Sequence, residues 1–181
     1  AKTNIESFDL QSFLKPLESM GDSIVAVVNG SIVKLHIHTF TPEAEIYSEY
    51  GLDFYAPQSF LDGNGRRILI GWFYHWGKEL PDGATTAGAL SIPRELTLQN
   101  GHIYNYPAAE ARHLLAEHSP YVKVSGTTVT VLGLDGREVF QKDLKGINGV
   151  ETIEKAEILF DTKALEIFIN HGQISLSQWL I

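Results

Sequence analysis

Between Tyr50 and Glu95 the chain gathers aromatic rings, carboxylates and an amide in close succession. It holds Asp53-Phe54-Tyr55-Ala56-Pro57-Gln58, then Gly71-Trp72-Phe73-Tyr74-His75-Trp76, then Pro93-Arg94-Glu95-Leu96. Aromatic rings offer flat apolar faces to the C–H side of a sugar, while neighbouring carboxylates and amides read its hydroxyls. The same rings are also strand-core material. Alternation assigns Phe54, Phe60, Ile68, Ile70 and Trp72 to a buried strand face. Tyr55 and Trp76 are open to either role, Trp76 because it stands where a strand gives way to a Gly/Pro loop.

Hydrolysis of a glycoside needs two carboxyl groups, one protonated at the leaving group and one ionised at the sugar carbon. Asp53, Glu79, Asp82 and Glu95 are the candidates in this stretch, but nothing in their spacing makes two of them converge. A new site built on Asp53 and Glu95 requires their carboxyl groups ~5–9 Å apart in one pocket. His36-Ile37-His38 would put two imidazoles on one strand face, a spacing that can bind zinc, but an exposed polar face alternating with Leu35 and Ile37 explains it as well. Gly63 and Gly65 lead into no helix, so no nucleotide-phosphate loop is present, and no serine sits in a Gly-x-Ser-x-Gly elbow. The residues call for no metal and no cofactor.

The elements that must position these residues are short β-runs punctuated by turns. Asn29-Gly30 separates Ser23–Val28 from Ile32–Ile37, and Asp62-Gly63-Asn64-Gly65 separates Phe54–Leu61 from Ile68–Trp72. Asn100-Gly101 and Asp135-Gly136 divide Glu95–Leu98 from His102–Tyr106 and Thr127–Leu132 from Arg137–Lys142. Glu157–Phe160, Leu165–Ile169 and Ile174–Trp179 follow. Hairpins at this spacing predict an antiparallel all-β protein, a sandwich or a propeller piece. Ala108–Glu117, opened by Pro107, reads as one short connecting helix. Phe8–Met20 is open between helix and irregular structure because Pro16 interrupts it. A boundary is expected near Gly101–Pro120, where aromatic-rich strands give way to plainer alternating ones.

With 44% apolar and 20% charged residues, the 181-residue chain reads as globular with a real core. A formal net charge of −8 without a basic cluster argues against nucleic acid and against an acidic membrane surface as partners. The absence of cysteine excludes disulfides and thiolate chemistry and fits a reducing compartment. The first residues show no signal-peptide pattern, and together these features suggest a cytoplasmic location.

The segment Tyr50-Gly51-Leu52-Asp53-Phe54-Tyr55-Ala56-Pro57-Gln58-Ser59-Phe60 resembles glycoside hydrolase family 32, the invertase family. Gly65–Trp72, Leu90–Leu96, Tyr106–Glu110 and Phe160–Asn170 resemble further family motifs in family order. The resemblance implies the last part of a five-bladed β-propeller followed by a small β-sandwich. Residues 1–105 would form the incomplete propeller portion, 106–120 a linker with a short helix, and 121–181 the C-terminal sandwich. It implies retaining cleavage of β-fructosides such as sucrose, sucrose 6-phosphate or fructans by the complete enzyme. The family's catalytic carboxylates lie in Trp-Met-Asn-Asp-Pro-Asn, Arg-Asp-Pro and Glu-Cys segments, none of which is present, so no residue here is assigned catalysis. By position, Asp53, Tyr55 and Trp76 resemble residues that shape the sugar pocket, while Arg94 and Glu95 resemble structural ion-pairing residues at the end of a blade. The alternative is a non-catalytic carbohydrate-binding or oligomerisation module. An incomplete propeller exposes strand edges, so Asn29–Leu98 is expected to pack against another copy or the missing N-terminal blades, or to be tied to the sandwich by unusual pairing.

Overall fold

A computed structural model describes residues 11, 15, 21–29, 32–39, 49–74, 79–80, 83, 85–99 and 101–180, with the side chains of 21–29 and 32–39 outside that description. The chain divides into two compact units, Ala1–Glu45 and Ile46–Ile181. In the first, β1 (Gly21–Asn29) and β2 (Ile32–Thr39) form an antiparallel hairpin closing at Asn29↔Ile32, as the Asn29-Gly30 signal predicts. The side chains of His36 and His38 on β2, and most of Phe8–Met20, lie outside the described residues.

In the second unit, β3 (Tyr55–Leu61) pairs with β4 (Arg67–Phe73). Asp62 Oδ1 ties the loop between them by accepting from the backbone N–H groups of Asn64 and Arg66, both at 2.9 Å. A short strand β5 (Ala89–Leu90) also lies on β4. β6 (Arg94–Gln99) and β7 (His102–Pro107) close at Gln99↔His102, with Gly101 at φ +82°. These strands make one sheet in the order β3-β4-β6-β7. β8 (Val122–Ser125), β9 (Thr128–Leu132) and β10 (Glu138–Asp143) form a second sheet, with β9 in the centre. β11 (Ala156–Asp161), β12 (Ala164–Ile169) and β13 (Ile174–Trp179) form a third, with β12 in the centre.

Every residue of β12 is buried, which its nearly continuous apolar run anticipates. Leu165, Ile167 and Ile169 pack with Ile174, Leu176, Val129 and Val131 in the main core, between the second and third sheets. The intervening positions Glu166 and Phe168, paired with Ser177 and Ser175 on β13, form the opposite face, and that face receives residues of the first sheet. The third sheet is therefore covered on both sides.

Its β13 edge is covered too. Tyr50 N–H donates to Ser175 O at 2.8 Å and Asp53 N–H to Ser177 O at 3.2 Å, so residues 50–53 run along β13 as an added partner. Such coverage removes an edge open to aggregation and ties the first sheet to the third by backbone pairing. Gly51 makes the approach possible, since a Cβ there would collide with the backbone of Ser177.

Two expectations need correction. The helix expected over 108–117 is a 3-10 stretch, Ala109–Leu114, and Pro107 ends β7 instead of opening it. None of its residues is buried, so no apolar face supports a longer helix. Phe60, expected in the core, is 50% exposed. β3 is the edge strand of its sheet and is exposed at all of its positions, so alternation alone does not bury it.

Gly51→Ala is expected to cost about 1–3 kcal/mol in denaturant unfolding, through overpacking against Ser177. Gly63→Ala, where a Cβ meets open space, is the control and should stay within about 0.5 kcal/mol of the parent. Equal effects from the two substitutions would remove the close-approach argument.

Candidate functional site

β6 begins with Arg94, whose side chain has no exposed surface. Its Nη1 donates to Glu49 Oε2 at 2.5 Å, and its Nε and Nη2 donate to Glu166 Oε2 at 2.8 and 2.6 Å. Nη2 also donates to Ser177 Oγ at 2.6 Å, and that hydroxyl donates to Glu49 Oε2 at 3.1 Å. The remaining carboxylate oxygens accept from backbone N–H groups, Glu166 Oε1 from Ile92 and Glu49 Oε1 from Gly51. The guanidinium lies between the rings of Phe54 and Phe168, 4.7 and 5.0 Å from their centroids. Burial opposes the Arg94 charge, but Glu166 and Glu49 outweigh it and raise its pKa. Burial pushes the Glu166 carboxyl up against the pull of Arg94.

This cluster joins the segment before β3, the start of β6, and strands β12 and β13. Arg94 pairs with Glu166 across 72 residues, so the ion pairing expected at the end of a blade spans two sheets instead. Strand alternation turns Glu95 to the opposite face of β6, where Arg112 Nη2 lies 3.7 Å from it. Sequence reasoning assigned no role to Glu49 or Glu166. The available signal was the single charge inside Leu165-Glu166-Ile167-Phe168, because a carboxylate in a buried run requires a partner.

Of the expected pocket residues, Asp53 is fully buried, and its Oδ2 accepts from Gln178 Nε2 and Trp179 N–H, both at 2.7 Å. In this placement it anchors the start of β3 to β13. Tyr55 is exposed at the beginning of β3, edge-on to Trp72 with ring centroids 6.3 Å apart. Trp72 stacks on Tyr74 at 4.6 Å and donates from Nε1 to Ala87 O at 2.6 Å. Trp76 and Asp82 lie outside the described residues. The described part of the candidate site is thus an aromatic row, Tyr55–Trp72–Tyr74, carried by two strands whose entry is fixed through Asp53.

The carboxylates do not form a displacement pair among the described residues. Asp53 and Glu95 do not converge, since one is buried against β13 while the other faces Arg112. Glu79 is exposed. Carboxylates do converge on Arg94 and on Arg66, and in both places a guanidinium is their shared partner. No group of three His, Asp or Glu among the described residues could hold a metal ion.

A second tie between the first and third sheets runs through Glu157 on β11. Its Oε2 accepts from Tyr106 Oη at 2.8 Å and lies 3.0 Å from His171 Nδ1, while Oε1 lies 2.9 Å from Lys155 Nζ. Burial, then the hydrogen bond to Glu157, pushes Tyr106 up to about 12. Burial raises the Glu157 pKa, but the bonds from Lys155 and Tyr106 outweigh it and hold it below its ordinary value.

Residues 15–107, just over half of the chain, match the model of the glycosyl hydrolases family 32 N-terminal domain. A sucrose-6-phosphate hydrolase of Vibrio alginolyticus is 36% identical over 152 residues, 77% of this chain and 30% of that protein. One from Escherichia coli is 44% identical over 69 residues, 38% of this chain and 14% of that protein. The chain spans about a third or less of the length of these relatives. Among solved structures, a family 32 glycoside hydrolase from Bifidobacterium adolescentis aligns over 88% of this chain and 31% of its own, with a TM-score of 0.54 and 23% identity. A Bombyx mori β-fructofuranosidase aligns over 82% of this chain and 42% of its own, with a TM-score of 0.56 and 21% identity. At these identities the structural likeness concerns the fold: an all-β chain matching part of a β-propeller enzyme.

Arg94→Met is expected to lower stability by about 3–5 kcal/mol, because it strands buried carboxylates. Adding Glu166→Gln should recover part of that loss; a single-variant loss below about 1 kcal/mol would show that the cluster is not a clamp. The Glu157–Tyr106 tie has a pH window at both ends. The lowered Glu157 contributes above the ordinary glutamate range and is lost as pH falls through its folded value. The raised Tyr106 contributes below the ordinary tyrosine value and is lost as pH rises through about 12. Tyr106→Phe should cost about 1–2 kcal/mol near neutral pH, the partial exposure of the pair keeping it modest. The difference in tyrosinate absorbance between parent and variant should titrate near 12, and a midpoint at the ordinary tyrosine value would contradict the tie.

Proposed function

The chain belongs to glycoside hydrolase family 32, and on that premise we propose that it is the C-terminal part of a β-fructosidase acting on sucrose 6-phosphate or sucrose. In this reading the described residues brace one wall of the sugar pocket, and the carboxylates of the retaining displacement lie elsewhere in the complete enzyme. The supporting observation is the Arg94 cluster. It locks the start of β6 and the segment before β3 onto the third sheet, and so presents Tyr55 and Trp72 on a rigid backing. Trp76 extends the same aromatic run in sequence and is assigned to the pocket with Tyr55, while Asp53 holds their strand in place. The names of the relatives support sucrose 6-phosphate.

A non-catalytic carbohydrate-binding module is the second reading. It is favoured by the exposure of Tyr55, an aromatic ring of the kind that stacks on the C–H face of a sugar.

Release of reducing sugar from sucrose and from sucrose 6-phosphate, by this chain at a confirmed intact mass, tests the main reading. The expected result is none. Turnover lost on Asp53→Asn or Glu95→Gln would mean that the reacting groups lie within these residues. Sugar binding without turnover, abolished by Trp76→Ala, would favour the module.

A further inference from the structure

Among the described side chains no group of three His, Asp or Glu could hold a metal ion, but those of the β1–β2 hairpin stand outside that set. The backbone register of the hairpin is described, and it bears on His36 and His38. Spacing alone gives these two histidines one strand face and supplies no third ligand. The register supplies one. Asp22 on β1 pairs with His38 on β2, and the next pair, Val25 with His36, follows only after a shift. Between the two pairs β1 spends Ser23 and Ile24 where β2 spends Ile37 alone, the two-for-one count of a β-bulge.

The bulge decides what stands opposite His38. Without it, the Val25↔His36 register would put Ser23 there and would move Asp22 opposite Thr39, onto the face of Leu35 and Ile37. Directly paired residues share a face, so Asp22, His38 and His36 occupy neighbouring positions on one face. Cross-strand partners stand about 5 Å apart and residues two apart on a strand about 6–7 Å, a span over which imidazoles and a carboxylate can share one ion. Two imidazoles and one carboxylate match the donor set of zinc, with a fourth position left to water. The three positions lie at the open end of the hairpin, away from its closure at Asn29↔Ile32. A two-stranded hairpin is marginal on its own, and an ion held from both strands would secure the end that the turn does not.

We infer that Asp22, His36 and His38 form a structural zinc site that clasps the open end of the β1–β2 hairpin. The site is independent of the β-fructosidase reading, so a negative sugar-release assay does not bear on it. The full chain, stripped with a chelator, is titrated with zinc ions by calorimetry, while its histidine ring signals are followed by NMR. One ion per chain is expected, with two of the seven imidazoles perturbed. His38→Gln and Asp22→Ala should each weaken zinc binding at least about tenfold, whereas His113→Gln, in the 3-10 stretch, should leave it unchanged. In the parent chain zinc should also slow amide hydrogen exchange in β1 and β2 and leave that of β12 as it was. Absence of binding, binding undiminished in Asp22→Ala, or exchange in β1 and β2 unaffected by bound zinc would each overturn the assignment.

Discussion

A guanidinium with no exposed surface persists only where its charge and its donors are both answered. Arg94 meets that demand with carboxylates from two distant segments, a serine hydroxyl and two phenyl faces. The carboxylates are in turn satisfied by backbone N–H groups of Ile92 and Gly51. Each member therefore fixes the path of a different stretch of chain. Together these bonds tie the segment before β3 and the entry to β6 to strands β12 and β13. An apolar contact of the same size would tolerate sliding; a buried set of directional, charge-assisted bonds does not.

The same constraint explains why exposure is distributed so unevenly. The third sheet is covered on one face by the main core, on the other by the first sheet, and along β13 by residues 50–53. The outer strand of the first sheet, β3, is exposed at all of its positions. Among the described residues exposure is therefore greatest on the β3 side, whereas Asp53, Arg94 and Glu166 are spent on fastening. The sandwich acts as the backing of the sheet that carries the aromatic row.

Much of the architecture could be read from local signals. Asn-Gly and Asp-Gly pairs mark turns because both residues accept positive φ, and Gly101 and Gly136 do adopt it. The motif around Asp53-Phe54-Tyr55-Ala56 indicated the family, and the match over residues 15–107 bears that out. The exposure of Phe60 and the 3-10 form of Ala109–Leu114 were not legible, because alternation and propensity report which face could be buried and not whether another element arrives to cover it.

What the sequence determined by itself was local: the antiparallel strands, their turns, the all-β class and the family motifs. These depend on backbone preferences and side-chain period within a few residues. Only the tertiary structure decided that Arg94 would meet Glu166 72 residues away, that Asp53 would be buried against Gln178 and Trp179, and that Glu95 would face Arg112 instead. A charge in a sequence states the need for a partner, but its identity depends on which sheets pack face to face. That choice is made by the burial of β12 on both sides, a property of the folded chain as a whole.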